Sequence, residues 1–138
     1  MVQVFLFYLV SMFSIKETPC DLLVTIPNIK GKQGNIVIGV YNDREKFPKV
    51  GMQYREVRFP ASTAGSTFRI KDLNPGTYAL GIYHDTNTDG ICNTNFLGVP
   101  REGYGFSNNI KPVLKAPSFE ECKIKLTGDM KLTVQLIY

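Results

Sequence analysis

The chain has 138 residues, 43% hydrophobic, 12% aromatic and 20% charged. That suits one globular domain with a real core and excludes a disordered or low-complexity chain. The formal net charge is +4, but Lys30 and Lys32, Arg55 and Arg58, and Lys123, Lys125 and Lys131 fall in separate segments, mostly alternating with apolar residues, which speaks against a nucleic-acid groove.

"MVQVFLFYLVSMFSI" runs from Met1 to Ile15 without a charge. It is shorter than the roughly 20 apolar residues of a spanning helix and has the length of the apolar region of a secretory signal peptide. No Lys or Arg precedes it and no A-x-A-like site follows it. "ETPC" fails as a lipoprotein signal, because Glu17 and Pro19 stand where small or apolar residues are needed. The run is unbroken rather than alternating, so residues 1–19 are expected to be a signal peptide, with a first strand as the alternative. Residues 20–138 are then a single exported domain with no stable membrane span.

From residue 20 onward, short alternating segments are separated by Gly, Pro and Asn. Leu22, Val24 and Ile26 share one face, as do Ile36, Ile38 and Val40. "QYREVRFP" alternates less cleanly around Tyr54, Val57 and Phe59, and "STFRIKDL" offers Phe68 and Ile70. Tyr78, Leu80 and Ile82 form the next face. Cys122, Ile124 and Leu126 oppose Lys123 and Lys125, and Leu132, Val134, Leu136 and Tyr138 close the chain. Period-two alternation marks half-buried strands. Only "DREKFPKVGMQYREV" has room for a short helix, and Pro48 limits it. About seven strands without long helices predict an all-β, antiparallel two-sheet sandwich of immunoglobulin-like or transthyretin-like type. One connection, Asp85 to Lys111, is long enough to suggest function or an organisation of its own.

That connection opens "HDTNTDGICNTNFLG". Asp85, Asn87, Asp89 and Gly90 match D-x-[DN]-x-[DN]-G, in which alternate side chains bring oxygens to one calcium ion. The Ile91 carbonyl and Asn93 would be the next ligands. Phe96 stands where an EF-hand needs its bidentate Glu, and a strand leads in, so this is not an EF-hand; Asn95 or Glu102 would complete the shell. The competing reading is that Asp, Asn, Thr and Gly simply turn the chain through side-chain to backbone hydrogen bonds.

His84 is read as a structural histidine, and Cys92 has no cationic neighbour in sequence to activate it. Cys20, Cys92 and Cys122 allow one disulfide with one thiol left over, Cys20–Cys122 being one pairing; Cys122 is expected to face the core beside Ile124 and Leu126. Farther along, Tyr104, Phe106, Asn108 and Asn109 offer aromatic faces and amides to a sugar or peptide. The alternative is that both rings fold back as packing.

"PGTYALGIYHDTNTDGICNTNFLGVPREGYGFSNN", "PSFEECKIKL" and the terminal "LTVQLIY" resemble the bacterial secreted family catalogued as domain of unknown function 2141. The resemblance covers Leu22 to Tyr138. Cys92-Asn93 departs from it, since the family tends to carry Lys or a similar residue followed by Asp there. It implies an exported β-sandwich and no particular activity. The sequence lacks G-x-S-x-G, a nucleophile–base pair and a metal triad. Paired loop carboxylates such as Glu102 with Asp85 are the remaining catalytic arrangement, and no spacing selects them. The reading is a non-catalytic exported module with a calcium-organised loop, binding a surface glycan or protein. A metal-free interaction domain is its competitor, and a hydrolase using those carboxylates the outlier.

Overall fold

The structure, a computed structural model, describes residues 14–62 and 66–138. The expectation for Met1 to Phe13 lies outside the described residues; 14–19 are irregular and exposed. Among the described residues are eight strands: β1 Cys20–Thr25, β2 Asn35–Tyr41, β3 Arg55–Pro60, β4 Thr67–Leu73, β5 Gly76–Asp85, β6 Tyr104–Phe106, β7 Ile124–Leu126 and β8 Met130–Thr133. One α-helical turn, α1, covers Phe119–Cys122, and a 3-10 turn covers Ser107–Asn109. The strands form two sheets, β4-β1-β8 and β3-β2-β5-β6, the second extended by β7 on β5. This is the all-β, two-sheet architecture expected.

The alternating faces fill the space between the sheets. Leu22, Val24, Ile36, Ile38, Phe68, Ile70, Leu80, Ile82, Leu126 and Val134 belong to one buried cluster. Each such side chain withdrawn from water contributes about 1.5–3 kcal/mol, which makes this face the driver of the fold. β5 is its spine: it pairs with β2 over Ala79–Asp85, with β6 over Gly81–Tyr83 and with β7 over Gly76–Tyr78.

Four expectations need correction. First, the smaller sheet is mixed, because β8 runs parallel to β1. β8 arrives from the other sheet rather than by a hairpin from β1, so no tight turn dictates an antiparallel pair. Second, the long connection contains strand β6. Gly105 at its centre interrupts the alternation, and a Cβ there would lie 2.8 Å from the Gln135 carbonyl oxygen. Third, Asp43–Val57 holds no helix, only turns before β3. The α-helical turn is α1, opened by a capping box in which the Ser118 hydroxyl accepts from the Glu121 N–H and the Glu121 side chain accepts from the Ser118 N–H. Fourth, Cys122 ends α1 and is buried with Tyr41, Phe47, Ala79 and Phe119, apart from the main core that holds Ile124 and Leu126. All three cysteines are free thiols, so Cys20 and Cys122 are not bridged.

Candidate functional site

β5 delivers Asp85 to the edge of its sheet with the side chain 1% exposed. Its Oδ2 accepts from the Gly90 N–H at 3.0 Å and lies 3.8 Å from Arg58 Nη1 on β3. Its Oδ1 is buried with no hydrogen-bond partner. Asp89 follows on the exposed bend. It accepts from the Ile91 N–H, from Asn93 Nδ2 at 2.9 Å and from Asn87 Nδ2 at 3.0 Å. These donors, led by the Ile91 N–H, hold its carboxyl below the usual carboxylate range, and Asp85 is among its neighbours. Gly90 takes φ +80°, the left-handed conformation that lets the chain wrap back.

The spacing therefore does bring Asp85, Asn87, Asp89 and Asn93 together around one bend. In this structure they are joined by hydrogen bonds from amides and from the loop's own backbone. Among the described residues no three His, Cys, Asp or Glu side chains form a group able to hold a metal ion. A calcium site here would rest on two carboxylates plus amide and carbonyl oxygens, the Ile91 carbonyl included. Glu102 stands beside them, nearly buried. Its Oε1 accepts from the Thr86 N–H and hydroxyl, and its Oε2 from the Asn93 N–H. Asn95 instead caps its own turn, its Oδ1 accepting from the Leu97 and Val99 N–H groups. Arg58 was not legible as part of this site: it lies far away in sequence and is brought in by the β3–β2–β5 register.

Tyr104 and Phe106 stand on β6, on the sheet face turned away from the main core. Cross-strand register places Glu56, Gly39, Gly81 and Phe106 in one row across that face, with Arg58, Val37, Tyr83 and Tyr104 in the next. Two adjacent glycines leave a dimple, and a cavity of about 160 Å³ opens over it. Glycine within strand interiors is the sequence signal for such a feature. Phe106 also packs edge-on against Phe47, 6.0 Å between centroids, so one ring serves both packing and the cavity wall. Asn108 does not face the cavity: its amide donates to the Glu121 and Lys123 carbonyls and fixes the end of α1.

No activated nucleophile accompanies these groups. The Cys92 thiol, between loop and cavity, is pushed up to about 11 by burial and then by the charges of Glu102, Asp85 and Asp89. The lone His84 is fully buried between the Tyr138 hydroxyl and the Gln33 carbonyl. No helix among the described residues is long and apolar enough to cross a membrane.

Two packed sheets, an elaborated β5–β6 connection and an aromatic dimple on the outer face define a small β-domain with its polar and aromatic features gathered at one side. The family model described as an uncharacterized protein conserved in bacteria, DUF2141, matches residues 24–135, and the chain belongs to that family. No curated protein and no solved structure matches it.

Proposed function

We propose that this is an exported, non-catalytic bacterial binding module whose Asp85–Asn93 loop is organised by calcium and whose adjoining aromatic face takes a surface glycan or protein. One observation carries the calcium reading: Asp85 Oδ1 is buried without a donor, next to the carboxylate of Asp89. An unpaired buried oxygen costs about 1–3 kcal/mol. A divalent cation bound at this bend would give it a partner. Rotating the Asn87 and Asn93 amides, which now turn nitrogen to Asp89, would offer oxygens to the cation, and the Ile91 carbonyl and Glu102 stand near. Non-catalysis is supported by the fixed His84, the protonated Cys92 thiol and the three donors already satisfied by Glu102.

The metal-free alternative draws on the same loop, because its internal hydrogen bonds already staple the bend. A thermal melt in millimolar calcium and again in chelator separates the two. A shift in the wild type that Asp89→Ala abolishes supports the site. No shift up to about 10 mM calcium, the weak end of extracellular sites, leaves the stapled turn.

A further inference from the structure

We propose that two neighbouring loop tips, Phe96–Leu97 and Val113–Leu114, dock the domain onto an anionic lipid bilayer. This goes beyond the binding-module reading and does not depend on calcium.

The tips are apolar where loops are ordinarily polar. Phe96 is 93% exposed, Leu97 73%, Val113 90% and Leu114 97%. One exposed leucine is normal on any surface, but four large apolar side chains on adjoining tips mark an interaction surface. They do adjoin: Leu97, Val99, Val113 and Leu114 line one cleft of about 420 Å³, together with Tyr104 and Phe106 of β6.

The backbone of the first tip selects lipid over protein. Thr94 bridges Pro100, the Asn95 N–H donates to the Val99 carbonyl, and the Gly98 N–H donates to the Asn95 carbonyl. Gly98 closes this turn at φ +79°. The Asn95 side chain accepts from the Leu97 and Val99 N–H groups. The donors of residues 95, 97, 98 and 99 are thus satisfied inside the turn, and Pro100 has none to satisfy. A protein partner completes a loop's hydrogen bonds with its own groups. Hydrocarbon offers none, so a tip that enters it must satisfy itself. Pro112 likewise brings no N–H to the second tip.

Charge selects the headgroup. Arg101 follows the first tip, Lys111 and Lys115 bracket the second, and neither stretch, 91–101 or 110–117, contains Asp or Glu. All three basic residues are exposed, and Lys111 and Lys115 line a cleft with Val113 and Leu114. Glu121 is within the field of Lys115, but it lies on α1 and accepts from the Ser118 N–H and hydroxyl. Cations set directly behind apolar tips meet headgroup phosphates while the tips enter the acyl boundary.

The experiment is tryptophan fluorescence of the full chain, which has no tryptophan of its own. Residues 1–15 are apolar and can touch lipid themselves, so the readout is local to each probe. The probes are Phe96→Trp, Leu114→Trp and, as a control on β4, the exposed Lys71→Trp. Vesicles of phosphatidylcholine, alone or with about one-third phosphatidylglycerol, carry brominated acyl chains as quencher, in chelator. With phosphatidylglycerol, emission from Phe96→Trp and Leu114→Trp is expected to move to the blue and be quenched, and that from Lys71→Trp to do neither. Adding Lys111→Gln and Lys115→Gln to Phe96→Trp should raise the lipid needed for half the shift by about fivefold per lysine. Adding Val113→Ser and Leu114→Ser should raise it at least about tenfold. The proposal is overturned by equal quenching at Lys71→Trp, by equal shifts on phosphatidylcholine alone, or by no shift. A blue shift without lipid that grows with protein concentration would assign the tips to a second copy of the chain and overturn it too. A calcium-dependent melt retained beside such a failure would leave the calcium-loop reading intact.

Discussion

The Tyr138 hydroxyl lies 2.9 Å from Nδ1 of His84, inside a site where the histidine is fully buried. The other ring nitrogen, Nε2, is 2.7 Å from the Gln33 carbonyl, which can only accept. Nε2 therefore carries a proton, and the Tyr138 hydroxyl is the partner of Nδ1. The same hydroxyl accepts from the Lys30 N–H. Tyr138→Phe leaves both groups without this partner and is expected to cost about 1–3 kcal/mol, read by urea denaturation. Gly103→Ala should disturb the same contact, since a Cβ there would fall 2.4 Å from Tyr138 Cε1. Unchanged midpoints in both variants would show that the pair is not structural.

The cap of α1 is a second separable contribution. Ser118→Ala removes the hydroxyl that accepts from the Glu121 N–H. The expected loss is about 0.5–2 kcal/mol, with the packing of Phe119 and Cys122 against Tyr41 and Phe47 loosened. Chemical denaturation monitored by tyrosine fluorescence would detect it, and the chain contains no tryptophan to mask the signal.

That cap also shows what the sequence can reveal. The seven alternating segments are legible because each buries one face against a partner sheet, and period two records that directly. The S-x-x-E of Ser118 and Glu121 was equally present, but the strand pattern through Cys122 to Leu126 overshadowed it. β6 was hidden by Gly105, which is there to admit the Gln135 carbonyl and Val134. In the loop, the spacing of Asp85, Asn87 and Asp89 indicated convergence. The role of Arg58 and the Gly39–Gly81 dimple depends on strand register, which local patterning does not encode.

Acid should weaken the fold through its surface carboxylates. Asp21 is held low first by the Arg69 hydrogen bond, Asp89 by the Ile91 N–H, Glu120 by Lys123 and Glu121 by the Ser118 N–H. Their folded values lie below the reference values of 3.8 for Asp and 4.5 for Glu. Their contribution is therefore complete above those values and lost as pH falls through the lower folded ones. Melting temperatures should be insensitive to these four groups near neutrality and fall below about pH 4.5. Asp21→Asn should flatten part of that acid limb; an identical limb would remove Asp21 from the account.

Cys92 should be slow to alkylate. With its thiol raised to about 11, only about a thousandth is thiolate at pH 8, and the thiolate is the reactive form. Iodoacetamide should label it far more slowly in native protein than in urea. Equal rates would show that neither burial nor the neighbouring carboxylates act on it.

Asp85→Asn distinguishes the two accounts of the loop by sign. In chelator, an amide at this position keeps an oxygen for the Gly90 N–H and places a donor where Oδ1 now has no partner. It gives up the 3.8 Å contact with Arg58. A buried unsatisfied oxygen outweighs one partly exposed ion pair, so the variant should be more stable than wild type without calcium, by about 1 kcal/mol. With calcium the order should invert. Wild type would gain about 2.7 kcal/mol at a hundredfold excess over its dissociation constant, while the variant, short of one carboxylate, gains little. Paired melts in chelator and in calcium read both signs. Stabilisation in both conditions would mean that the carboxylate at 85 serves no cation, and the bend from Asp85 to Asn93 would then be a turn held by its own hydrogen bonds.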